Sequence, residues 1–285
     1  MQFRTDLAIE RAEFHPYNVK GLVRNERKKG SLTITEIRIE TEEAAQFLGK
    51  PIGKYITAEG LPLTDHFRDV RAEIESLAQE ISDLLPHGEA LAAGLGNTEI
   101  TPDALGPQSM KYILATRHIT GEYARVAGLE KLRGVSVLAP GVLGQTGIEV
   151  CELLKSVVKS ICPKVLIVID ALAAKELSRL GCTVQISNTG IIPGSGVGNR
   201  RQEISEKTIG IPVIAVGVPT VVDAVTLVYD LAGQEATVHP KGEGMIVTPK
   251  EIDLLIERAA KLTGMAVNCA LQREYDFDTL AALVS

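Results

Sequence analysis

The chain has 285 residues, enough for one large α/β domain or two smaller ones, and with 45% apolar residues it can bury a sizeable core. A formal charge of −6 argues against a dedicated nucleic-acid surface, and there is neither a signal-peptide core in MQFRTDLAIER nor a run of eighteen apolar residues to span a membrane. A cytoplasmic protein without membrane or direct nucleic-acid partners is the expectation. Its cysteines, Cys151, Cys162, Cys182 and Cys269, form no CxxC pair and share no metal-ligand spacing with a histidine, so they read as reduced thiols.

In chain order, residues 1 to about 30 are polar and irregular, and the basic cluster RNERKK from Arg24 to Lys29 reads as a solvated loop. SLTITEIRIE alternates with a phase slip after Ile34, which suits a bulged strand. A short helix over Glu42 to Leu48 and a strand in GKYITAEG complete a β-rich elaboration across residues 30–60. DHFRDVRAEIESLAQEISDLL (65–85) carries Val70, Ile74, Leu77, Ile81 and Leu84 three or four apart, the stripe of an amphipathic helix.

From there strands and helices alternate, which predicts a mostly parallel central sheet flanked by helices. Strands are expected at 91–95, 135–140, 165–170, 183–187 and 212–218. Helices are expected at about 103–117, 146–160, 171–179 and 219–231, with a last one opening at TPKE (248–251) and running past Lys261. No composition break marks a second unit, so residues 1–285 read as a single α/β domain.

Two aspartates stand out. In GLGNTEITPDALGP (94–107), Asp103 follows the turn Gly96-Asn97 and opens a helix that Thr101 can cap and Pro102 can start. In KVLIVID, Asp170 ends an apolar strand and leads into a helical ALAAKEL. The carboxyl edge of parallel strands is where sites form in open α/β sheets. Two carboxyl groups in one crevice tend to share a proton, so one can activate water while the other protonates a leaving group. The plainer alternative, a helix N-terminal acid and a strand-end cap, stays open at this point.

SNTGIIPGSGVGNRR (187–201) is the second conspicuous loop. Its GSGVGN breaks the dinucleotide fingerprint at the third glycine and follows a late strand, which weakens a phosphate-cradling reading. As the wall of a peptide cleft it would offer Asn188 and Gly190 to an extended strand and Arg200 and Arg201 to acidic side chains. Asn97 suits a left-handed turn or a substrate contact, and APGVLGQTG (139–147) offers backbone N–H groups to an oxyanion.

These motifs, GLGN…TPDALGP, VIDALA and NTGIIPGSGVGNRR in that order, resemble the spore germination protease family over nearly the whole chain, from RTDLA at Arg4 to NCAL around Cys269. The resemblance implies the fold of hydrogenase maturation endopeptidases and places Asp103 and Asp170 at the positions implicated in peptide-bond cleavage. It implies small acid-soluble spore proteins as substrates, a homo-tetramer and a place in the spore core. It also implies self-cleavage between Asp6 and Leu7 in RTDLAIE, with Ala8 and Glu10 as further recognition positions. The pro-segment, Met1 to Asp6, would be shorter than the family's, so latency would be weak. Hydrogenase maturation enzymes add a histidine to the carboxylate pair to recognise nickel. No histidine here matches that position, and His118 lies about four helical turns past Asp103, so neither a metal nor another cofactor is expected. A nucleotide- or phosphate-binding α/β protein and a non-catalytic peptide receptor are the competing readings.

Overall fold

The computed structural model describes residues 4–13, 19–61, 63, 69–233, 239–242 and 244–284. Among these, the strands are β1 (Leu22–Lys29), β2 (Leu32–Ile39), β3 (Gly53–Glu59), β4 (Ala90–Gly94), β5 (Val135–Leu138), β6 (Val165–Ala174), β7 (Thr183–Ser187), β8 (Val213–Asp223) and β9 (Ile246–Val247). They form one mixed sheet in the order β1-β2-β3-β7-β8-β6-β4-β5, with β9 pairing the far end of β8.

The core strands β8, β6, β4 and β5 are parallel, as the strand–helix alternation predicts. They are apolar on both faces because both faces are covered. Ile167 and Ile169 pack with the helices Arg71–Ser82, Leu105–Ser109 and Ile252–Leu271 on one side. Leu166 and Val168 pack on the other side with Cys151, Leu154 and Val158 of the helix Val150–Ile161.

β7 departs from the parallel set and runs antiparallel to both β3 and β8. It thereby joins the N-terminal strands β1–β3 to the main sheet edge to edge. The RNERKK cluster, read as a loop, is part of the outermost strand β1, where Arg27 pairs with Glu80 and Lys29 reaches the same carboxylate at 3.8 Å. Charged side chains on an edge strand discourage pairing with other chains, so such a strand lacks apolar alternation. β2 has no bulge: its register against β1 and β3 is continuous. Leu32 and Ile34 bury into one core and Ile37 and Ile39 into another on the opposite face, which imitates a phase slip in the sequence.

Several predicted helices are shorter or displaced. The span 103–117 breaks into 3₁₀ turns at Thr101–Asp103 and Met110–Tyr112 around the helix Leu105–Ser109. Residues 171–174 continue β6 instead of starting a helix, and only the turn Leu177–Arg179 is helical beyond them. β8 likewise runs on to Asp223, so its helix begins at Ala224 and ends at Ala232. The amphipathic stripe forms the helix Arg71–Ser82; residues 65–68 of the predicted span lie outside the described residues. Helices at Ala8–Glu13 and Phe277–Val284 were not expected. Among the described residues no helix is long and apolar enough to cross a membrane.

Candidate active site

Close backbone packing sets the position of Asp103. β4 ends at Gly94, and Leu95 N–H continues its line by donating to Ile169 C=O at 2.8 Å, just short of Asp170. Gly96 has φ +115°, and a Cβ there would lie 1.9 Å from Asp103 O; at Gly106 it would lie 2.2 Å from Leu95 O and 2.4 Å from Ile169 O. Only glycine permits so near an approach of two backbones. The chain after β4 therefore folds flat against the strand ends and delivers Asp103 over them. Thr220 Oγ1 donates to Pro102 C=O at 2.8 Å and ties this turn to β8.

Asp103 and Asp170 line one cavity of about 460 Å³. Asp170, deeply buried, accepts from Ala171 N–H at 3.0 Å. Burial pushes its carboxyl well above the usual range, and the charges of Asp103 and Asp6 push the same way. Asp103 is half-buried; burial raises its pKa too, opposed by the Asn97 N–H that donates to Oδ2 at 2.8 Å. Both carboxyl groups are therefore pushed toward their protonated forms, Asp170 the further of the two.

The other sequence candidates divide between this cavity and a second. Gly141, Val142, Leu143 and Gly144 of the 139–147 loop line the carboxylate cavity, as do Gly194 and Arg201. Asn97 lines it too, but its Oδ1 accepts from Glu99 N–H at 2.9 Å and from Gln145 Nε2 at 2.8 Å, a turn-building role. Gly190 and Arg200 line an adjoining cavity of about 740 Å³. Gly190 is there for space: a Cβ would lie 2.0 Å from Ile204 O. Asn188 faces neither cavity; its Oδ1 accepts from Lys54 N–H at 2.8 Å and closes the β3–β7 end. The cavity beside the glycine loop carries the carboxyl groups of Asp6, Asp103 and Asp170 together with Arg201, an acidic excess that disfavours a phosphate there.

Asp6 and Leu7 are not loose. Asp6 lines both cavities. Its N–H donates to Ala173 C=O at 2.9 Å, and its carboxylate accepts from Ala173 N–H at 2.9 Å and Ser195 Oγ at 2.5 Å. Leu7 is fully buried. Glu10, buried as well, accepts from Lys175 N–H at 2.8 Å and Glu176 N–H at 2.9 Å and pairs with Thr5. Asp6 is thus anchored by backbone and side chain to Ala173, in the part of β6 that was expected to be helix. Met1 to Phe3 of the proposed pro-segment lie outside the described residues.

Lys50 and Gln185 were missed. Lys50 Nζ donates to Asp6 C=O at 2.7 Å, and burial lowers its pKa to about 8, with Asp6 opposing and Arg11 assisting. At neutral pH it remains a cation. Gln185, in the middle of β7, donates to the same carbonyl at 3.2 Å. A long amide at a buried position of TVQIS was the one available signal, since buried polar groups need partners. Among the described residues no three His, Cys, Asp or Glu side chains are grouped as a metal ion would need.

A family model described as "Germination protease" matches residues 4–233. The germination protease of Caldanaerobacter subterraneus subsp. tengcongensis is 41% identical, covering 94% of this chain and 94% of that protein. That of Priestia megaterium is 33% identical, covering 98% and 96%. A solved [NiFe] hydrogenase maturation protease, HycI from Thermococcus kodakarensis KOD1, aligns with a TM-score of 0.38 at 16% identity, over 66% of this chain and 98% of its own.

Proposed function

The chain belongs to the germination protease family and is a peptidase, and on that premise we propose that it is an endopeptidase whose chemistry rests on Asp103 and Asp170. The observation that carries this reading is the shared cavity, in which burial pushes the Asp170 carboxyl well above its ordinary range, with the charge of Asp103 adding to it, and raises Asp103 as well. Asp103 then draws a proton from water as the water attacks, and Asp170 protonates the departing amine. Substrates are small acid-soluble spore proteins, cut at the start of germination in the spore core, and the working form is a homo-tetramer. The enzyme processes itself between Asp6 and Leu7. The family name and the lodging of Asp6 in the wall of the carboxylate cavity support that reading.

Incubation with a purified small acid-soluble spore protein, with and without a chelator, followed by mass spectrometry of the products, tests it. Discrete fragments from the wild type, and none from Asp103→Asn or Asp170→Asn, are expected. Binding without cleavage by all three proteins would make the chain a receptor instead.

A further inference from the structure

The carbonyl oxygen of Asp6 belongs to the peptide bond joining Asp6 to Leu7, and two side-chain donors converge on it. Lys50 Nζ stands 2.7 Å away and Gln185 Nε2 3.2 Å away. The same Gln185 accepts from Ala8 N–H at 2.7 Å through Oε1, so one amide spans the peptide bond and fixes the strand on both sides of it. Asp6 is further held by Ala173, whose C=O accepts from the Asp6 N–H and whose N–H donates to the Asp6 carboxylate. Gly196 leaves room for the acidic side chain: a Cβ there would lie 2.2 Å from Asp6 Oδ2. Asp6 separates the carboxylate cavity from the one that Lys50 and Gln185 line.

A carbonyl held by an ammonium and an amide donor is polarised, and those bonds strengthen as charge collects on the oxygen. From this geometry we infer that Lys50 and Gln185 form the carbonyl-polarising pair of the peptidase, acting on the bond that follows an acidic residue seated against Ala173 N–H and Ser195 Oγ. The inference rests on the peptidase reading above. As water adds to the carbonyl carbon, its proton passes to Asp103 and the carbonyl π pair moves onto the oxygen held by Lys50 and Gln185. The pair then returns, the C–N bond breaks, and the amine leaves with the proton from Asp170. A carboxylic acid and an amine result, and one proton moving from Asp103 to Asp170 resets the enzyme.

The test measures kcat and KM of the full chain on a small acid-soluble spore protein and on a synthetic peptide containing Arg-Thr-Asp-Leu-Ala-Ile-Glu. Lys50→Met is expected to lower kcat by about 100-fold or more with little change in KM, the loss typical of removing one oxyanion donor. Lys50→Arg, which keeps a cation, should recover part of it. Gln185→Glu keeps the acceptor for Ala8 N–H but loses the donor, and kcat should fall about tenfold or more. A role confined to anchoring the N-terminal segment would leave kcat on the added peptide unchanged, and that result would overturn the inference while leaving the peptidase reading intact. Should Lys50→Met fail to fold, as read by its thermal melt, Lys50→Arg and Gln185→Glu carry the same comparison. A wild type that cuts neither substrate sinks the peptidase reading and this inference with it.

Discussion

Asp103 adds its charge to the burial that lifts Asp170, while the Asn97 N–H, 2.8 Å from Asp103 Oδ2, holds Asp103 toward its ionised form. Two chemically identical side chains are therefore displaced from their ordinary pKa to different extents. In the proposed chemistry that difference should set the pH dependence of cleavage. On the acid side, activity should fall as Asp103 protonates, at a pH above its ordinary 3.8 because burial raises it. On the alkaline side it should fall as Asp170 ionises. A bell-shaped profile of kcat/KM is expected, and a flat profile from pH 3 to 9 would remove the carboxylates from the chemistry.

Asp170 should also cost stability. Its folded pKa lies well above the unfolded value near 3.8, so its contribution is fully present below about pH 3.8 and is lost as pH rises through the folded pKa. Asp170→Asn keeps an oxygen for Ala171 N–H and removes the buried charge. The variant should be inactive yet melt several degrees higher at alkaline pH, since about 1 kcal/mol moves a domain of this size by roughly 2–4 °C. The gain should vanish near pH 3. Thermal melts across pH decide it, and a lower Tm than wild type at alkaline pH would contradict the burial argument.

The turn that carries Asp103 was legible from an apolar strand, a glycine turn and then an acid. The extended run beyond Asp170 was not. ALAAKEL has strong helix formers, yet Ala171 to Ala174 stay extended because they pair with β8 on one edge while Ala173 pairs with Asp6 on the other. Those partners lie more than forty residues away in the chain and leave no trace in local propensity. Lys50 escaped for a similar reason: its role exists only where Asp6 arrives. The proposed self-cleavage segment, read as polar and irregular, is docked, since Leu7 and Glu10 are buried by long-range contacts.

Gly106 tests how the site is built. Gly106→Ala would press a methyl group against the Leu95 and Ile169 carbonyls at 2.2 and 2.4 Å, both of them backbone and unable to swing aside. A loss of about 3 kcal/mol is expected, toward the upper range of overpacking costs, with activity lost as Asp103 is driven from Asp170. Denaturant unfolding and a peptide assay measure the two effects. An active variant of wild-type stability would show that this contact does not position Asp103.

The thiols should be dispensable. Cys151 stands in the wall of the carboxylate cavity, but it is buried and its Sγ points to Glu203 C=O at 3.3 Å. Replacing all four cysteines by Ala should lower Tm through the buried Cys151 and leave specific activity of the folded fraction within about threefold, because no step of the proposed chemistry passes through sulfur. Loss of activity at full folding, read by circular dichroism beside the peptide assay, would point to a cysteine mechanism.

Self-cleavage between Asp6 and Leu7 should be intramolecular. The segment is already docked on its own chain, with Asp6 hydrogen-bonded to Ala173, Leu7 buried and Glu10 held by Lys175 and Glu176 N–H groups. Binding that has already occurred needs no second molecule, so the rate should be first order. Over a tenfold range of protein concentration, the half-life of the Met1 terminus, followed by intact mass, should be constant. Glu10→Ala removes a buried carboxylate and strands the two N–H donors that it holds, which loosens the segment and should slow the cut about tenfold or more. In that variant, added wild-type enzyme should cleave the loosened terminus in trans. A half-life that shortens in proportion to concentration in the wild type would mean that the docked segment is out of reach of its own aspartates and that neighbouring molecules do the cutting.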